Sequence, residues 1–312
     1  MARVLVTGIA GQIGSFLAER LIGGGHQVVG VEGTHEHAPR PGVQVVSGPL
    51  EADGVDRVLD ACGALDAIVH LAGKTSVGES WAAPMATFDA NARTSAALAY
   101  AAHVRNVTLV NASSAEIFGN ASTAIQNETT PILPVSPYGV AKASAHEVVR
   151  LTRNEMGARA TNLIFYLGES PRRPAHFVVR KITKTLARVK LGLQENLSLG
   201  NTAAVRDFCY ADDFARAAEM FALGATPGDY VVASGEGHTV AEVASTCCDL
   251  LGLDPAKVLR SDPALFRRAD IASLVGDATK LRSLGWSPSL NFRELVRTIT
   301  EHDLADARRE VT

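Results

Sequence analysis

Residues 3–14 read RVLVTGIAGQIG, and this stretch decides the fold. Its first five residues suit a buried strand, and the apolar spacing after Gly14 is that of a helix. The turn between them carries Gly8, Gly11 and Gly14. Glycines let the backbone approach a pyrophosphate, and the helix that follows presents its N-terminus to the anion. The order of strand, glycine-rich turn and helix therefore predicts a dinucleotide-binding site.

The fold class follows from the same stretch, because such a unit belongs to an α/β sheet. We predict a Rossmann-type doubly wound parallel sheet with helices on both faces. The nucleotide-binding domain is expected to span residues 1–165 and to take back residues 203–235. A smaller C-terminal substrate-binding lobe is expected to comprise residues 166–202 and 236–312. Further strands are predicted at four places, which are residues 27–31, 43–46, 67–73 and 107–111.

The cofactor contacts are predicted at three strand ends. Glu32 follows the second strand 24 residues after Gly8, where a carboxylate can bind the adenosine ribose of NAD. A carboxylate would repel the 2′-phosphate of NADP, so we predict NAD in preference to NADP. The alternative is an acid at a strand end that points to solvent. The remaining contacts are Gly8, Gly11, Gln12, Ile13 and Gly14 in the first turn and Leu71, Ala72 and Gly73 after the fourth strand.

A general base is predicted at Tyr138. Ser136 is a good helix N-cap and Pro137 suits the first helical position, so a helix should begin here. Tyr138 and Lys142 are then one turn apart on one face. The helix dipole and the lysine charge both favour a phenolate, and we expect a tyrosine pKa below its usual value of about 10. Spaced in this way, both residues also contact a bound cofactor. The pair is common by itself, and a surface tyrosine with a solvated lysine is the alternative.

Ser114 and Glu116 complete the predicted catalytic group. The strand at residues 107–111 leads into Ser114, which lies where ligands bind in open α/β sheets. Its hydroxyl can bridge a substrate oxygen to Tyr138, and Glu116 would be a second proton-transfer group on the same edge. A capping hydroxyl and an exposed loop acid are the alternatives.

Composition narrows the class of protein. The 312 residues suffice for one large domain or two closely associated ones, and the formal charge of −3 predicts no binding to nucleic acid or to anionic membranes. No apolar run is long enough to span a bilayer, and we expect no signal peptide. The four cysteines have no paired spacing, which favours a cytoplasmic protein and predicts no metal site.

The part of the chain before Tyr138 resembles the extended short-chain dehydrogenase/reductases, the group that contains the NAD-dependent nucleotide-sugar epimerases and dehydratases. The GxxGxxG spacing of the first turn carries this resemblance. Beyond Tyr138 the sequence resembles the GDP-mannose 4,6-dehydratase family in particular. The matching runs are ESPRR at 169–173, LGN at 199–201, VRDF at 205–208, FRRAD at 266–270 and LGW at 284–286.

The resemblance implies catalytic roles for Ser114, Glu116, Tyr138 and Lys142. It implies that the substrate is a nucleotide-diphosphate sugar. The implied reaction oxidises the sugar at C4, removes the proton at C5, eliminates water and reduces C6. It also implies the dimer interface typical of the group. We predict a homodimer or a dimer of dimers, with the helix predicted at 84–103 and the helix starting at Pro137 forming the contact. The substrate contacts implied are Ser114, Glu169, Val178, Lys181, Leu199, Asn201, Arg206 and Arg267.

Three departures from the family concern its cofactor and its reaction. The family usually carries basic residues after the second strand and uses NADP, whereas Glu32-Gly33 favour NAD. Ile13 stands where the family carries an aspartate. Leu167-Gly168 replace an Asn-His pair whose asparagine binds substrate, so we predict poor turnover of GDP-mannose and a preference for a modified sugar. The alternative function on the same scaffold is an NAD-dependent 4-epimerase or decarboxylase. A non-catalytic NAD-sensing protein would be expected to lose Tyr138 or Lys142.

Overall fold

The computed structural model describes residues 1–31, 41–46, 48, 50–266 and 271–310. Its strands are listed here in chain order: β1 (Arg3–Thr7), β2 (Gln27–Val31), β3 (Val43–Val46), β4 (Ala67–His70), β5 (Thr108–Ser114), β6 (Ala160–Phe165), β7 (Leu167–Glu169), β8 (Leu197–Leu199), β9 (Val205–Tyr210), β10 (Asp229–Val232), β11 (Gly237–Thr239), β12 (Leu259–Ser261) and β13 (Ser273–Leu274).

The helices alternate with these strands along much of the chain. They are α1 (Gln12–Gly23), α2 (Val55–Cys62), α3 (Val77–Ser80), α4 (Pro84–Phe88), α5 (Thr94–Val104), α6 (Pro137–Met156), α7 (Val178–Lys190), α8 (Ala211–Ala222), α9 (Val240–Leu251), α10 (Pro255–Val258), α11 (Thr279–Arg282) and α12 (Phe292–Arg309). Within the described ranges, no helix combines the length and apolar character that crossing a membrane requires.

A parallel sheet of seven of the described strands forms the centre of the molecule, in the order β3-β2-β1-β4-β5-β6-β10. Val4 and Val6 pack against one helical layer, and Leu5 packs against the other. Both faces of the sheet are therefore covered, which explains the continuous apolar run of β1. The order reverses between β1 and β4, and ligands bind at such a switch point. The predicted doubly wound fold is confirmed.

A second apolar cluster lies outside this sheet. Val179, Ile182 and Leu186 of α7 pack there with Val243 of α9 and Ile299 of α12. Short sheets flank it, with β9 between β11 and β13 and also paired with β7. Apart from β9, which lies in the segment 203–235 assigned by sequence to the nucleotide-binding domain, these elements come from the part of the chain assigned to the substrate lobe. The residue boundaries of the two domains stay predictions.

The helix predicted at residues 84–103 is present but is not uniform. A π turn at Asp89–Arg93 separates α4 from α5. The buried Asn91 side chain donates from Nδ2 to the carbonyls of Thr87 and Lys74, each at 3.0 Å. The wider turn thus brings an amide into contact with the segment that follows β4. Apolar spacing alone does not reveal such a turn.

Candidate active site

The glycine-rich turn forms a cradle at the N-terminus of α1. Gly8 has a left-handed φ of +68°, and a Cβ on Gly14 would lie 2.3 Å from the Gly8 carbonyl oxygen. No side chain caps α1 at Gly11, and its first turn holds no acid. Its first N–H groups are thus left for an anion. The cradle fits a dinucleotide pyrophosphate.

The polar groups that line the switch point beside the cradle form hydrogen bonds with one another. The Thr7 hydroxyl accepts from the N–H of Ala72 at 3.1 Å and lies 2.8 Å from His70 Nδ1. Burial lowers the pKa of His70 to about 3, so the imidazole is neutral. No side chain fits at position 73, because a Cβ on Gly73 would lie 2.4 Å from Asn91 Oδ1. His70 therefore packs at the strand end as a buried, neutral side chain.

The start of α6 fixes Tyr138 and Lys142. The Ser136 hydroxyl accepts from the N–H of Gly139 at 3.0 Å, which confirms the predicted cap. The N–H of Tyr138 donates to the buried Ser80 hydroxyl at 3.2 Å, a contact that sequence analysis missed. Lys142 Nζ donates to the carbonyl of Ala112 at 2.9 Å and so ties α6 to β5.

The structure brings Ser114, Glu116 and Tyr138 together. The phenol is hydrogen-bonded to the Ser114 side chain, and the carboxylate of Glu116 acts on it electrostatically. Ser114 Oγ also accepts from the N–H of Glu116 at 3.3 Å and caps the short helical turn Ala115–Ile117. The Ser114 hydroxyl is thus a helix cap, which was the alternative interpretation from sequence. It also interacts with the Tyr138 phenol.

The expected lowering of the tyrosine pKa is wrong for this structure. Burial raises the pKa of Tyr138 to about 12, and the Glu116 charge adds to the rise, while the Ser114 hydrogen bond and the Arg173 charge oppose it. Burial also lowers the pKa of Lys142 to about 8. Both shifts have one cause, because a buried site disfavours any charged form. Sequence analysis considered the favourable charges near Tyr138 but could not assess the desolvation of the phenol, because burial depends on the whole fold.

Arg173 is the functional residue that sequence analysis passed over. Its guanidinium lies over the Phe177 ring at 3.8 Å and acts on both Tyr138 and Glu169. Glu169 is buried, and its Oε1 lies 3.8 Å from Arg173 Nε. Among the described residues, neither Glu169 Oε2 nor Arg173 Nε has a hydrogen-bond partner. The paired arginines of the ESPRR run were the available signal.

The predicted substrate contacts lie mostly around α7 and β8. Val178 begins α7, and Lys181 Nζ donates to the carbonyl of Ser198 at 2.9 Å, next to the buried Leu199. Asn201 Oδ1 accepts from the N–H of Ala203 at 3.0 Å.

Arg206 is buried on β9, and its Nη1 donates at 2.8 Å to the carbonyls of Val205 and Ile271. Glu32 and Arg267 lie outside the described residues.

The departures at Gly168 and Ile13 have packing reasons. A Cβ on Gly168 would lie 2.8 Å from the ring of Phe214, so a larger residue does not fit this packing. Leu167 packs against the apolar cluster of the second lobe. Ile13 packs against the core beneath the large sheet.

Comparison with known proteins identifies the family. Residues 5–299 match the family described as GDP-mannose 4,6 dehydratase. The chain is 36% identical to GDP-mannose 4,6 dehydratase 2 of Arabidopsis thaliana, over 98% of this chain and 88% of that protein. It is 31% identical to the GDP-mannose 4,6-dehydratase of Yersinia enterocolitica, over 99% of this chain and 95% of that protein. The structure of Thermus thermophilus UDP-glucose 4-epimerase in complex with NAD superimposes with a TM-score of 0.85 at 30% identity, covering 96% of this chain and 98% of that chain. The chain belongs to the GDP-mannose 4,6 dehydratase family within the NAD-dependent epimerase/dehydratases.

Proposed function

We propose that the protein is a nucleotide-sugar 4,6-dehydratase. The observation that carries the proposal is the position of Glu116, which is held on a short turn directly after Ser114 and acts on Tyr138. C5 deprotonation needs a base of its own, separate from the group that deprotonates the C4 hydroxyl. Membership of the family supports the same reaction.

The residues divide the work as follows. Tyr138 takes the proton of the C4 hydroxyl, and Ser114 holds the developing carbonyl oxygen. The C4 ketone acidifies the C5 proton, which Glu116 removes. The C5 proton passes to the C6 hydroxyl, which leaves as water and gives a 4-keto-5,6-ene. Hydride returned to C6 and a proton added at C5 from solvent then give the 4-keto-6-deoxy sugar. Lys142, fastened to the end of β5, keeps a positive charge near the phenol.

NAD is the proposed cofactor. When bound, it supplies the acceptor for the hydride that leaves C4 and the donor for the hydride that returns to C6. The cradle at Gly8, Gly11 and Gly14 and the N–H groups at Gln12 and Ile13 would hold its pyrophosphate, and Leu71, Ala72 and Gly73 would line its path. Glu32 would bind the ribose and disfavour NADP. Calorimetric titration tests this choice, and tighter binding of NADP than of NAD would contradict it.

The decisive experiment separates the two half-reactions. Glu116→Gln is expected to keep C4 oxidation and to slow the later steps by about 10²–10⁴-fold. Reduced dinucleotide should then accumulate on the enzyme, visible in the near ultraviolet, without 6-deoxy product. Tyr138→Phe is the matched control, and it should block formation of the reduced dinucleotide at the outset.

A 4-epimerase or decarboxylase is the second candidate, favoured by the close superposition on an epimerase. Both would use the same Ser114, Tyr138 and Lys142. A 4-epimerase needs no exchange at C5, whereas a decarboxylase loses C6 as carbon dioxide and takes a proton from solvent at C5. The wild-type reaction in heavy water, read together with the fate of C6, distinguishes them. Deuterium at C5 with a C6 methyl group supports the dehydratase, and deuterium at C5 with C6 lost supports the decarboxylase. Inversion at C4 with an intact C6 hydroxyl and no deuterium supports the epimerase.

The sugar is proposed to differ from mannose. Leu167 offers no hydrogen bond where an asparagine is expected, and it packs on apolar side chains. We expect a kcat/KM for GDP-mannose below about 10⁵ M⁻¹s⁻¹, under the middle of the ordinary enzyme range. Leu167→Asn tests the assignment, because it should improve turnover of GDP-mannose if this wall selects the sugar.

Three coarser proposals complete the assignment. We place the nucleotide-binding domain at residues 1–165 and 203–235, and the substrate lobe at 166–202 and 236–312. A homodimer is proposed to form through α4, α5 and α6, whose outer faces expose Met85, Tyr100 and Val140. A cytoplasmic location is supported by the four free and buried cysteines.

A further inference from the structure

A short segment, residues 168–173, crosses from the large sheet to the second lobe and lies along α1. We call it the strap. Gln12, the first residue of α1, donates from Nε2 to the Gly168 carbonyl at 2.8 Å. Its Oε1 accepts from the hydroxyl of the fully buried Ser170, also at 2.8 Å. One glutamine in the dinucleotide turn thus holds the strap twice.

Arg172 fastens the strap one turn further along α1. Its Nη1 donates to Ser15 Oγ at 3.0 Å, and its Nη2 pairs with Glu19 at 2.8 Å. The guanidinium also lies over the Phe16 ring at 3.8 Å. Ser170 Oγ joins the two anchors, because it accepts from the N–H of Arg172 at 3.1 Å.

The strap connects the two ends of the proposed dinucleotide site. One end is fixed at Gln12, beside the pyrophosphate cradle. The other end carries Arg173, which acts on Tyr138, the residue that meets the reacting end of the cofactor. A dinucleotide that spans from the cradle to Tyr138 would therefore pass close to both ends of the strap.

We propose that Gln12, Ser170 and Arg172 form a clasp that keeps the strap closed on α1 and sets how fast the dinucleotide enters and leaves. The inference rests on the proposed use of NAD, not on the choice between dehydratase and epimerase. A cofactor that is oxidised again in every cycle does not need to exchange. Slow exchange keeps it in place while the sugar is half converted.

The clasp predicts a particular kinetic signature. The Ser170 and Arg172 side chains hold the strap rather than the ligand, so loosening them speeds entry and release together. Ser170→Ala removes two hydrogen bonds and is expected to raise both rates by about three- to tenfold. Arg172→Met should raise both by about threefold, because its ion pair is partly exposed and its cation–π contact adds to it. The dissociation constant should change by less than the rates.

Stopped-flow fluorescence with NADH measures both rates, with excess NAD as the chase for release. Arg105→Met is the matched control, because Arg105 bridges Asp56 and Asp60 next to the start of β5, at the opposite edge of the sheet from the cradle. Its rates should equal those of wild type. In a Gln12→Ala background, Ser170→Ala should change release by a smaller factor than it does in wild type, since one of the two hydrogen bonds of Ser170 is already lost.

Unchanged rates in both Ser170→Ala and Arg172→Met would overturn the clasp and leave the proposed function intact. Faster release without faster entry would also overturn it, because that pattern means a lost contact with the ligand. A wild-type protein that does not bind NADH would overturn the clasp and the proposed cofactor together.

Discussion

Burial raises the pKa of Tyr138, and two opposite charges, on Glu116 and Arg173, adjust that pKa further. The Glu116 charge raises the tyrosine pKa and the Arg173 charge lowers it. The base must be deprotonated to act, and the positive charge of bound NAD would lower the tyrosine pKa from its value of about 12 in the protein alone. C4 oxidation is then lost as the pH falls through the pKa of Tyr138 in the complex. Arg173→Met should move this acidic limb to higher pH, and Glu116→Gln should move it to lower pH.

Single-turnover formation of the reduced dinucleotide, measured across pH, tests these opposite shifts. Arg105→Met should leave the limb where it is in wild type. Movement of both active-site variants in the same direction would contradict the assignment of the two charges.

Gly168 illustrates a residue whose role is packing. Phe214 is buried and stacked on Phe165 with ring centroids 4.7 Å apart, so it cannot move away from an added Cβ. Gly168→Ala should destabilise the fold by about 1–3 kcal/mol. Gly23→Ala, where an added Cβ meets nothing within 4 Å, should be neutral or stabilising. Urea denaturation measures both, and an equal effect at the two positions would contradict the packing argument.

Local patterns made several residues predictable. The glycine turn and the Ser136 cap act within a few residues, and sequence spacing therefore located them. Ser80 and Arg173 reach Tyr138 from distant parts of the chain, so spacing could not place them. The sign of the tyrosine pKa shift failed for a related reason, because burial is a property of the whole fold.

At the scale of elements, a buried ion pair joins α7 to α12. Arg180 donates to both oxygens of Asp303, at 3.1 and 2.7 Å, and Thr183 donates to the same carboxylate at 2.6 Å. Arg180 also donates to the carbonyls of Pro171 and Arg173 in the strap. The last helix of the lobe thus supports the segment beside the catalytic tyrosine.

Asp303→Ala is expected to cost about 3–5 kcal/mol, because it leaves a buried guanidinium without its counter-charge. The double variant Arg180→Met with Asp303→Leu should lose less than the single one, since no buried charge is left unpaired. Chemical denaturation measures both free energies. A double variant less stable than Asp303→Ala would contradict the argument. Lys257→Ala, at an exposed ion pair, is the control and should change little.

The elements themselves were predicted better than their irregularities. The first five strands and α6 were predicted from apolar runs and caps, and β5 continues three residues further, to Ser114. The π turn at Asp89–Arg93 was not predicted, because it satisfies a contact between Asn91 and Lys74 that only the folded chain makes. The lobe strands are three residues or fewer in several cases, too short for a period to appear.

At the scale of the whole molecule, the outer faces of α4, α5 and α6 predict assembly. Met85, Tyr100 and Val104 are at least 60% exposed, and Val140 is 45% exposed on the neighbouring α6. We expect a dimer in light scattering at micromolar concentration. The double variant Tyr100→Lys with Val104→Lys should be monomeric, because burying two charges in an apolar contact is costly. Leu193→Lys, on an exposed lobe residue, should remain dimeric. A monomeric wild type would rule the interface out.

The edge strand β10 has a consequence for how the protein forms. It pairs with β6, yet the chain between them passes through α7 and α8 and the strands β7, β8 and β9. The helix α8 that precedes it docks on α1, where Arg20 pairs with Asp212 and Glu219. While the chain is being synthesised, the sheet therefore keeps an open edge at β6 until about residue 232 has left the ribosome. Such an edge is a template for pairing with other chains. The late strand leaves the newly made N-terminal half with an unpaired strand edge, and completion of the large sheet depends on synthesis of the chain from residue 166 to residue 232.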